Sequence, residues 1–197
     1  MARITKPVEE RRLEIIDTAR KLFLENGFDK TQVADISRKM NVASGLVYHY
    51  FKSKTEIFCA VIDELSKEEA QKTKRFLSSA TGSAFDRLKL LFTSIEDTET
   101  QKGLIYSVAT DPVLFEYCRQ QITNSTLPIL ISLIEQGNKD GSWNIEFPKE
   151  IAIFILQGAV GIISLTQEPE SSLQAIEKKK GILINILFRA LGVTDSP

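Results

Sequence analysis

The sequence indicates an all-α protein, in which a small three-helix domain precedes a larger helical bundle. Apolar residues recur at steps of three and four along most of the 197 residues, which is the period of an amphipathic helix. Proline and glycine stand where such helices would begin and end. No stretch alternates apolar and polar residues with the period of two that a strand shows. We expect about nine helices in all.

The composition is that of a globular protein, with 43% hydrophobic and 26% charged residues. The first residues, Met1–Pro7, carry Arg3 and Lys6 but no apolar run, so we expect neither a signal peptide nor a membrane anchor. The most apolar segment, Ile151–Leu165, is interrupted by Gln157 and is shorter than the roughly 20 residues that cross a bilayer. A cytoplasmic protein without a membrane partner is the expectation.

Two cysteines, Cys59 and Cys118, stand far apart in the sequence, and neither has a second thiol or a histidine at metal-binding spacing. This pattern predicts reduced core thiols instead of a disulfide framework or a zinc site. We expect no metal and no cofactor.

The charge is distributed unevenly although the net charge is only −1. Residues 1–58 contain 11 Lys and Arg against 8 Asp and Glu, whereas residues 59–197 contain 14 against 18. A basic module ahead of an acidic one is suited to binding a polyanion at the N-terminal end.

The first helix is predicted to begin at Pro7 and to end at Gly27. Two short helical segments follow, about Thr31–Met40 and Ser44–Tyr50. Asn41 separates them, and asparagine tolerates the left-handed conformation of a tight turn. Neither segment is long enough to be stable alone, so both must pack on the first helix.

A capping box, Ser53-Lys54-Thr55-Glu56, predicts the start of a long fourth helix that runs toward Phe76. We therefore divide the chain into residues 1–53 and residues 54–197, linked by a helix over residues 54 to about 77. Gly137 and Gly192 stand at expected helix ends. The later helices are predicted at Ala84–Asp97, Lys102–Ala109, Pro112–Gln136, Pro148–Thr166 and Ser172–Leu191.

The segment from Gly27 to Lys54 contains the residues Gly27-Phe28-Asp29-Lys30-Thr31, Val47-Tyr48-His49-Tyr50-Phe51 and Lys52-Ser53-Lys54. Together with the helices around it, this segment closely resembles the DNA-binding signature of the TetR family over about residues 8–60. The resemblance implies a helix-turn-helix domain that places its second short helix in the major groove of double-stranded DNA.

The resemblance also implies residue roles. Thr31 is expected to begin the second helix with its hydroxyl toward a phosphate, and Lys54 is expected to bring a cation to the DNA backbone. Tyr48 and His49 are expected to point at phosphates or base edges. The base-reading residues are predicted to be Ser44, Gly45 and Leu46, of which Leu46 can touch a thymine methyl group.

Four positions depart from the family pattern. Asn41 stands in place of the usual turn glycine, and Ala43 in place of a frequent serine. Ser44 and Leu46 occupy positions where a basic residue and a threonine are common. The departures predict that the helix cap shifts to Ser44 and that recognition relies more on apolar contacts and DNA shape.

Beyond residue 80 the resemblance implies architecture only. The last two long helices are expected to pair with a second copy of the chain, and the small residues of Gln157-Gly158-Ala159-Val160-Gly161 suit close helix packing in such a homodimer. A pocket for a small apolar or amphipathic effector is expected among the middle helices. Its candidate lining residues are Phe92, Tyr106, Phe115, Asn124 and Trp143, each of which could instead fill the core.

The resemblance to the TetR family implies a transcriptional repressor that a small molecule releases from a palindromic operator. The single histidine lies in the DNA-binding segment, and no nucleophile with its base, phosphate loop or metal spacing is apparent, so we do not expect an enzyme. A DNA-binding interaction protein without a role in transcription stays open as the alternative, and so does activation in place of repression.

Overall fold

The structure is a computed structural model that describes residues 7–93, 104, 107–108, 110–165, 181–182, 184–189 and 191–192. Side chains are described for these residues except 92, 93, 160 and 162–165. The helices are α1 (Val8–Asn26), α2 (Val33–Lys39), α3 (Ser44–Tyr50), α4 (Lys54–Ser79), α5 (Ala84–Thr93), α6 (Pro112–Asp140) and α7 (Pro148–Leu165). Residues 181–182 and 184–189 are also helical, and the described residues contain no strand. The predicted all-α fold is confirmed.

The chain divides into two compact units. Unit 1 comprises residues 1–68 and 97–122, and unit 2 comprises residues 69–96 and 123–197. The helices α4 and α6 therefore contribute residues to both units. The domain boundary after residue 53 stays a prediction.

Three phenylalanine rings form the centre of the core of unit 1. Phe23 of α1, Phe28 of the following turn and Phe58 of α4 lie with their ring centroids 5.0 to 5.7 Å apart. Two of the three pairs meet edge to face, which the quadrupoles of aromatic rings favour. Ile36 of α2 and Val47 of α3 are fully buried in the same core. Because α2 and α3 have only 7 residues each, their positions depend on this packing.

Two residues with positive φ shape the turns of unit 1. Gly27 has φ +80° and ends α1, and its N–H donates to the carbonyl of Phe23 at 2.9 Å. Asn41 has φ +53° in the turn between α2 and α3, a conformation that asparagine adopts more readily than most residues. Both predicted turns are confirmed.

The predicted capping box at the start of α4 is present in an altered form. The Ser53 hydroxyl accepts a hydrogen bond from the Glu56 N–H at 3.1 Å, as expected. The Glu56 carboxylate accepts from the N–H of Lys52 at 2.6 Å, whereas the expected partner was the N–H of Ser53. The carboxylate therefore reaches one residue further back and ties the end of the α3 segment to α4.

Helix α6 is longer than predicted. It was expected to stop at Gly137, but it continues to Asp140, and Gly141 follows with φ +80°. Gly137 lies within the helix because the indole of Trp143 packs against it: a Cβ at this position would lie 2.0 Å from Cε2 of the ring. The Trp143 indole N–H donates to the carbonyl of Ile134 at 2.7 Å. The glycine makes room for the tryptophan and does not end the helix.

Besides α6, two later helices begin at the residues that the sequence predicts. Helices α5 and α7 begin at Ala84 and Pro148, as predicted. Gly192 has φ +71° and follows the last described helical residues, which confirms it as a helix end. Most of the predicted helix Lys102–Ala109 and the first part of Ser172–Leu191 lie outside the described residues.

We predict that Gly137→Ala lowers the free energy of unfolding by about 1–3 kcal/mol, because the added methyl group must displace the Trp143 indole. Urea unfolding followed by circular dichroism measures this change. Gly45→Ala is the matched control, since a Cβ at this helical glycine meets no atom within 4 Å. Equal stability of Gly137→Ala and the wild type would contradict the packing described for Trp143.

Candidate nucleic-acid interface

Helix α3 buries one face and exposes the other. Val47 is fully buried and Leu46 is half-buried, whereas Gly45, Tyr48 and His49 are exposed. Tyr48 is 55% exposed, and the described residues offer no hydrogen bond to its hydroxyl or to the His49 ring. A phenol and an imidazole can both donate and accept hydrogen bonds. The exposed face of α3 can therefore bind groups outside the protein.

Thr31 differs from its expected role. Helix α2 begins at Val33 with Gln32 as its N-cap, and Thr31 is only 1% exposed. The Thr31 hydroxyl donates to the carbonyl of Gly27 at 2.8 Å, and its oxygen also lies 3.2 Å from the carbonyl oxygen of Leu22. Because this hydroxyl points back at the end of α1, it holds the turn and is not available to a phosphate.

Lys54 also differs from its expected role. Its ammonium donates to the carbonyls of Phe28, at 2.9 Å, and Asp29, at 3.3 Å. The same Nζ lies 4.3 Å from the centroid of the Phe28 ring, a distance at which a cation is attracted to the ring face. Two of the three ammonium N–H groups are thereby occupied. Lys54 fixes the start of α4 to the turn after α1, and it is not the free cation that was expected at the DNA backbone.

A second cation covers the residue that follows α3. Phe51 is 1% exposed, and the guanidinium carbon of Arg12 lies 4.9 Å from the centroid of its ring. The stacked guanidinium holds the C-terminal end of α3 against α1. Sequence reasoning missed this contact, because residues 12 and 51 are joined only by the fold.

The start of α2 is held by an aspartate. The Asp35 carboxylate accepts a hydrogen bond from the N–H of Gln32 at 2.9 Å and pairs with the Arg38 guanidinium at 2.9 Å. The start of α2 is therefore capped by Asp35, and the helix begins two residues after Thr31.

Ser44 is the first residue of α3, and its hydroxyl does not cap the helix. The N-cap is Ala43, which makes no side-chain cap hydrogen bond. The Ser44 Oγ instead lies 2.8 Å from the Oγ of Ser37 on α2. The predicted shift of the cap to Ser44 is therefore wrong, since this hydroxyl joins the two short helices.

Gly45 is not required by the packing of the described residues. A Cβ at this position would meet no atom within 4 Å, and the residue is not among those with positive φ. A glycine inside a helix nevertheless costs about 1 kcal/mol relative to alanine. Its missing side chain leaves room for another molecule to approach the backbone of α3.

Lys52 is a candidate contact residue that sequence reasoning placed in the motif but not in the site. Its side chain is exposed and has no ion pair or hydrogen bond to another described residue. Its own N–H is bound by Glu56, so its position directly after α3 is fixed. A cation next to the end of the exposed helix was a readable signal for a phosphate contact.

The predicted effector-site residues fall in different places. The side chain of Phe92 and all of Tyr106 lie outside the described residues. Phe115 is half-buried in unit 1, and Asn124 is exposed in unit 2. Trp143 is 7% exposed and donates its indole N–H to a carbonyl of α6, so it belongs to the core of unit 2. Trp143 is therefore a core residue, whereas it was expected to line the effector pocket.

Helix α7 carries an exposed apolar side. Phe154 is 68% exposed, and Gly158, one turn further on, is exposed as well. A Cβ on Gly158 or Gly161 would meet no atom within 4 Å. In the last helical segment, Ile182 and Ile186 are 45% and 47% exposed. Both helical segments therefore expose apolar side chains, and α7 has open space beside its two glycines.

The acidic, thiol and apolar side chains of the described residues form neither a metal site nor a membrane span. The part of the chain that the structure describes holds no group of three or more His, Cys, Asp or Glu placed to bind a metal ion. Within that part, no helix has the length and apolar character needed to cross a membrane. Cys59 and Cys118 are free thiols, and burial raises the pKa of Cys118 to about 12, which keeps it protonated at neutral pH.

Two short helices joined by a tight turn, with the second exposed along one face, define a helix-turn-helix protein. Residues 15–61 match the family model of bacterial regulatory proteins of the tetR family. The chain is 24% identical over 168 residues to the HTH-type transcriptional repressor KstR2 of Rhodococcus jostii, an alignment that covers 82% of each protein. It is 23% identical to the HTH-type transcriptional regulator QacR of Staphylococcus aureus, covering 79% of this chain and 85% of QacR.

Solved structures share the fold. A transcriptional regulator from Cytophaga hutchinsonii superimposes with a TM-score of 0.73 at 18% identity, over 92% of this chain and 97% of that one. A TetR/AcrR-family regulator from Thermobifida fusca gives a TM-score of 0.62 at 24% identity, over 89% and 97%. Residues 15–61 therefore carry the DNA-binding domain typical of the tetR family, and the chain has the fold of TetR-family transcriptional regulators.

We predict opposite effects of Gly45→Ala on folding and on DNA binding. The free energy of unfolding should rise by up to about 1 kcal/mol, because alanine favours the helix and meets no atom. Affinity for a specific DNA site should fall, because the methyl group lies on the exposed face of α3. Chemical unfolding and fluorescence anisotropy measure the two quantities, and unchanged affinity would remove Gly45 from the interface.

Proposed function

We propose that this chain is a repressor that binds a palindromic operator as a homodimer and leaves it when a small molecule binds the second domain. The observation that carries the proposal is the exposed face of α3, which presents Gly45, Tyr48 and His49. The Tyr48 hydroxyl and the His49 ring make no hydrogen bond to another described residue, although the His49 ring meets that of Tyr50 edge to face. Such a face suits the major groove, where base edges present donors, acceptors and methyl groups.

Each residue of this face has a proposed role. Tyr48 and His49 contact phosphates or base edges, and Gly45 lets the backbone approach the DNA. Leu46, which is half-buried, touches a thymine methyl group, and the free cation of Lys52 binds a phosphate. Thr31 and Lys54 act indirectly, since their polar groups hold the elements that carry α3.

The proposed dimer forms through α7 and the last helical segment. The exposed apolar side chains of these segments, which include Phe154, Ile182 and Ile186, would be buried against those of a second copy around a two-fold axis. The free space at Gly158 and Gly161 supports this proposal. Glycine within a helix is unfavourable, and close approach of a helix from the second copy would explain why both positions are glycine. Two copies of α3 would then face half-sites about 34 Å apart, or somewhat more.

The proposed release by an effector acts through α4. In unit 1, the Tyr117 hydroxyl of α6 donates to the Asp63 carboxylate of α4 at 2.7 Å. Burial and the Asp63 carboxylate raise the pKa of Tyr117, so the phenol keeps its proton at neutral pH. A shift of α6 on binding a small apolar or amphipathic molecule would therefore move α4. The residues proposed to contact this effector remain Phe92, Tyr106, Phe115 and Asn124. A coupling free energy of about 1.4 kcal/mol between effector binding and operator binding lowers operator affinity tenfold.

Selection of bound sequences from a random duplex library tests the proposed function. We expect a palindrome to be enriched, and we expect Tyr48→Ala to weaken binding to it. Phe76→Ala is the control, because Phe76 is an exposed aromatic residue of α4, 46% accessible, that belongs to unit 2. Binding without any enriched sequence would contradict the repressor and favour a DNA-binding interaction protein.

We predict that Phe154→Glu converts the dimer to a monomer, because the carboxylate would be buried in an apolar interface without a partner. Sedimentation equilibrium measures the change, and operator affinity should fall with it. Val113→Glu places the same charge on a 78% exposed residue of unit 1 and should leave both properties unchanged. A dimeric Phe154→Glu protein would exclude this surface as the interface.

A further inference from the structure

Two serines meet where α2 packs on α3. Ser37 is 3% exposed, and its Oγ lies 2.9 Å from the carbonyl oxygen of Ala34 and 2.8 Å from the Oγ of Ser44. Ser44 is half-buried at the outer side of this pair. A serine hydroxyl has one proton and two acceptor lone pairs, so Ser37 can donate to only one of these two oxygens.

The direction of both hydrogen bonds follows from the distances. If Ser37 donates to the Ala34 carbonyl, Ser44 supplies the proton between the two hydroxyls, and both short contacts are hydrogen bonds. If Ser37 donated to Ser44 instead, its oxygen would lie 2.9 Å from the carbonyl oxygen with no proton between them. Because a buried polar contact without a hydrogen bond is costly, the first arrangement is favoured.

In this arrangement the Ser44 hydroxyl donates to Ser37, so its oxygen lone pairs are the only hydrogen-bonding capacity that it has left for another molecule. A cleft of about 440 Å³ lies in front of this pair, with room for an incoming polar group. Arg38 also lines the cleft, and its guanidinium forms an ion pair with the Asp35 carboxylate. The lining residues are Ala34, Ser37, Arg38, Asn41, Val42 and Ser44.

We propose that Ser44 acts only as a hydrogen-bond acceptor and makes the operator position that it faces specific for a base with an exocyclic amine. In the major groove, adenine presents N6–H and cytosine presents N4–H, whereas guanine and thymine present carbonyl oxygens that would repel the lone pairs of Ser44. Ser37 is the positioning residue that sets this polarity. The proposal rests on the proposed function, in which α3 reads an operator.

The proposal predicts an unusual pattern in selected operators. One position of each half-site should accept adenine or cytosine and reject guanine or thymine on the same strand. Exchanging the two bases of that pair places a carbonyl oxygen before Ser44 and should lower wild-type affinity by on the order of tenfold. Fluorescence anisotropy with the original and the exchanged operator gives this specificity ratio.

Variants of the two serines distinguish the proposed hydrogen-bond direction at Ser44 from a purely structural role of Ser37. Ser44→Ala removes the acceptor, so the ratio should fall close to one. Ser37→Ala frees the Ser44 proton to point outward, so binding to the exchanged operator should improve while binding to the original is kept. A merely structural role of Ser37 would weaken both operators equally. Ser79→Ala is the control, because its hydroxyl also donates to a carbonyl three residues back, that of Phe76 at 2.8 Å.

A modified base in the operator tests the contact between Ser44 and the exocyclic amine, and this test does not depend on the stability of Ser37→Ala. A base analogue that lacks only the exocyclic amine should weaken wild-type binding to the selected operator and leave Ser44→Ala unaffected. A preference for guanine or thymine at the Ser44-dependent position would overturn the proposal, as would a ratio that neither serine variant changes. Failure to enrich any operator would instead overturn the proposed function.

Discussion

The short length of α2 and α3 is the constraint on which the interface depends. With 7 residues each, these helices make too few internal hydrogen bonds to persist alone, so contacts from longer elements must hold them. The rings of Phe23, Phe28 and Phe58 join α1, its following turn and α4 into one core. The Thr31 hydroxyl and the Lys54 ammonium then bind carbonyl oxygens of the same turn region. These contacts fix the elements against which Val47 of α3 is buried, while the opposite face of α3 is exposed.

The polar groups near α3 fall into two sets: some form hydrogen bonds within the protein, and others form none with the described residues. Thr31 and Lys54 use theirs on backbone carbonyls, which satisfies oxygens at the end of α1 and in the turn that follows it. Tyr48 and His49 make none with other described residues, so their donors and acceptors are open to a second molecule. Ser44 combines the two conditions, because its oxygen is bound by one side chain and reachable from outside. Apart from Ser44, the polar atoms that hold this short segment in place differ from those that are open to a second molecule.

Local signals in the sequence predicted much of the fold and less of the site. Apolar spacing and the turn residues Gly27 and Asn41 predicted the first three helices, because helix period and left-handed turns depend on neighbouring residues. The true partners of Thr31 and Lys54 could not be predicted, since they are backbone carbonyls whose direction the residue types do not encode. Gly137 was misread for a similar reason: it resembles a helix end, and only the folded position of Trp143 explains it.

The central claim is that some polar residues near α3 hold the fold together while others contact DNA. The substitution Lys54→Met tests it most directly, because it keeps the apolar stem of the side chain and removes the charge. The salt dependence of binding to the selected operator and the free energy of unfolding would both be measured. We expect stability to fall by about 1–2 kcal/mol, with an unchanged slope of log affinity against log salt. Lys52→Met, in contrast, should reduce the magnitude of that slope by about 0.9, the value for one lost phosphate contact. A reduced slope with unchanged stability in Lys54→Met would contradict this account and return Lys54 to the DNA backbone.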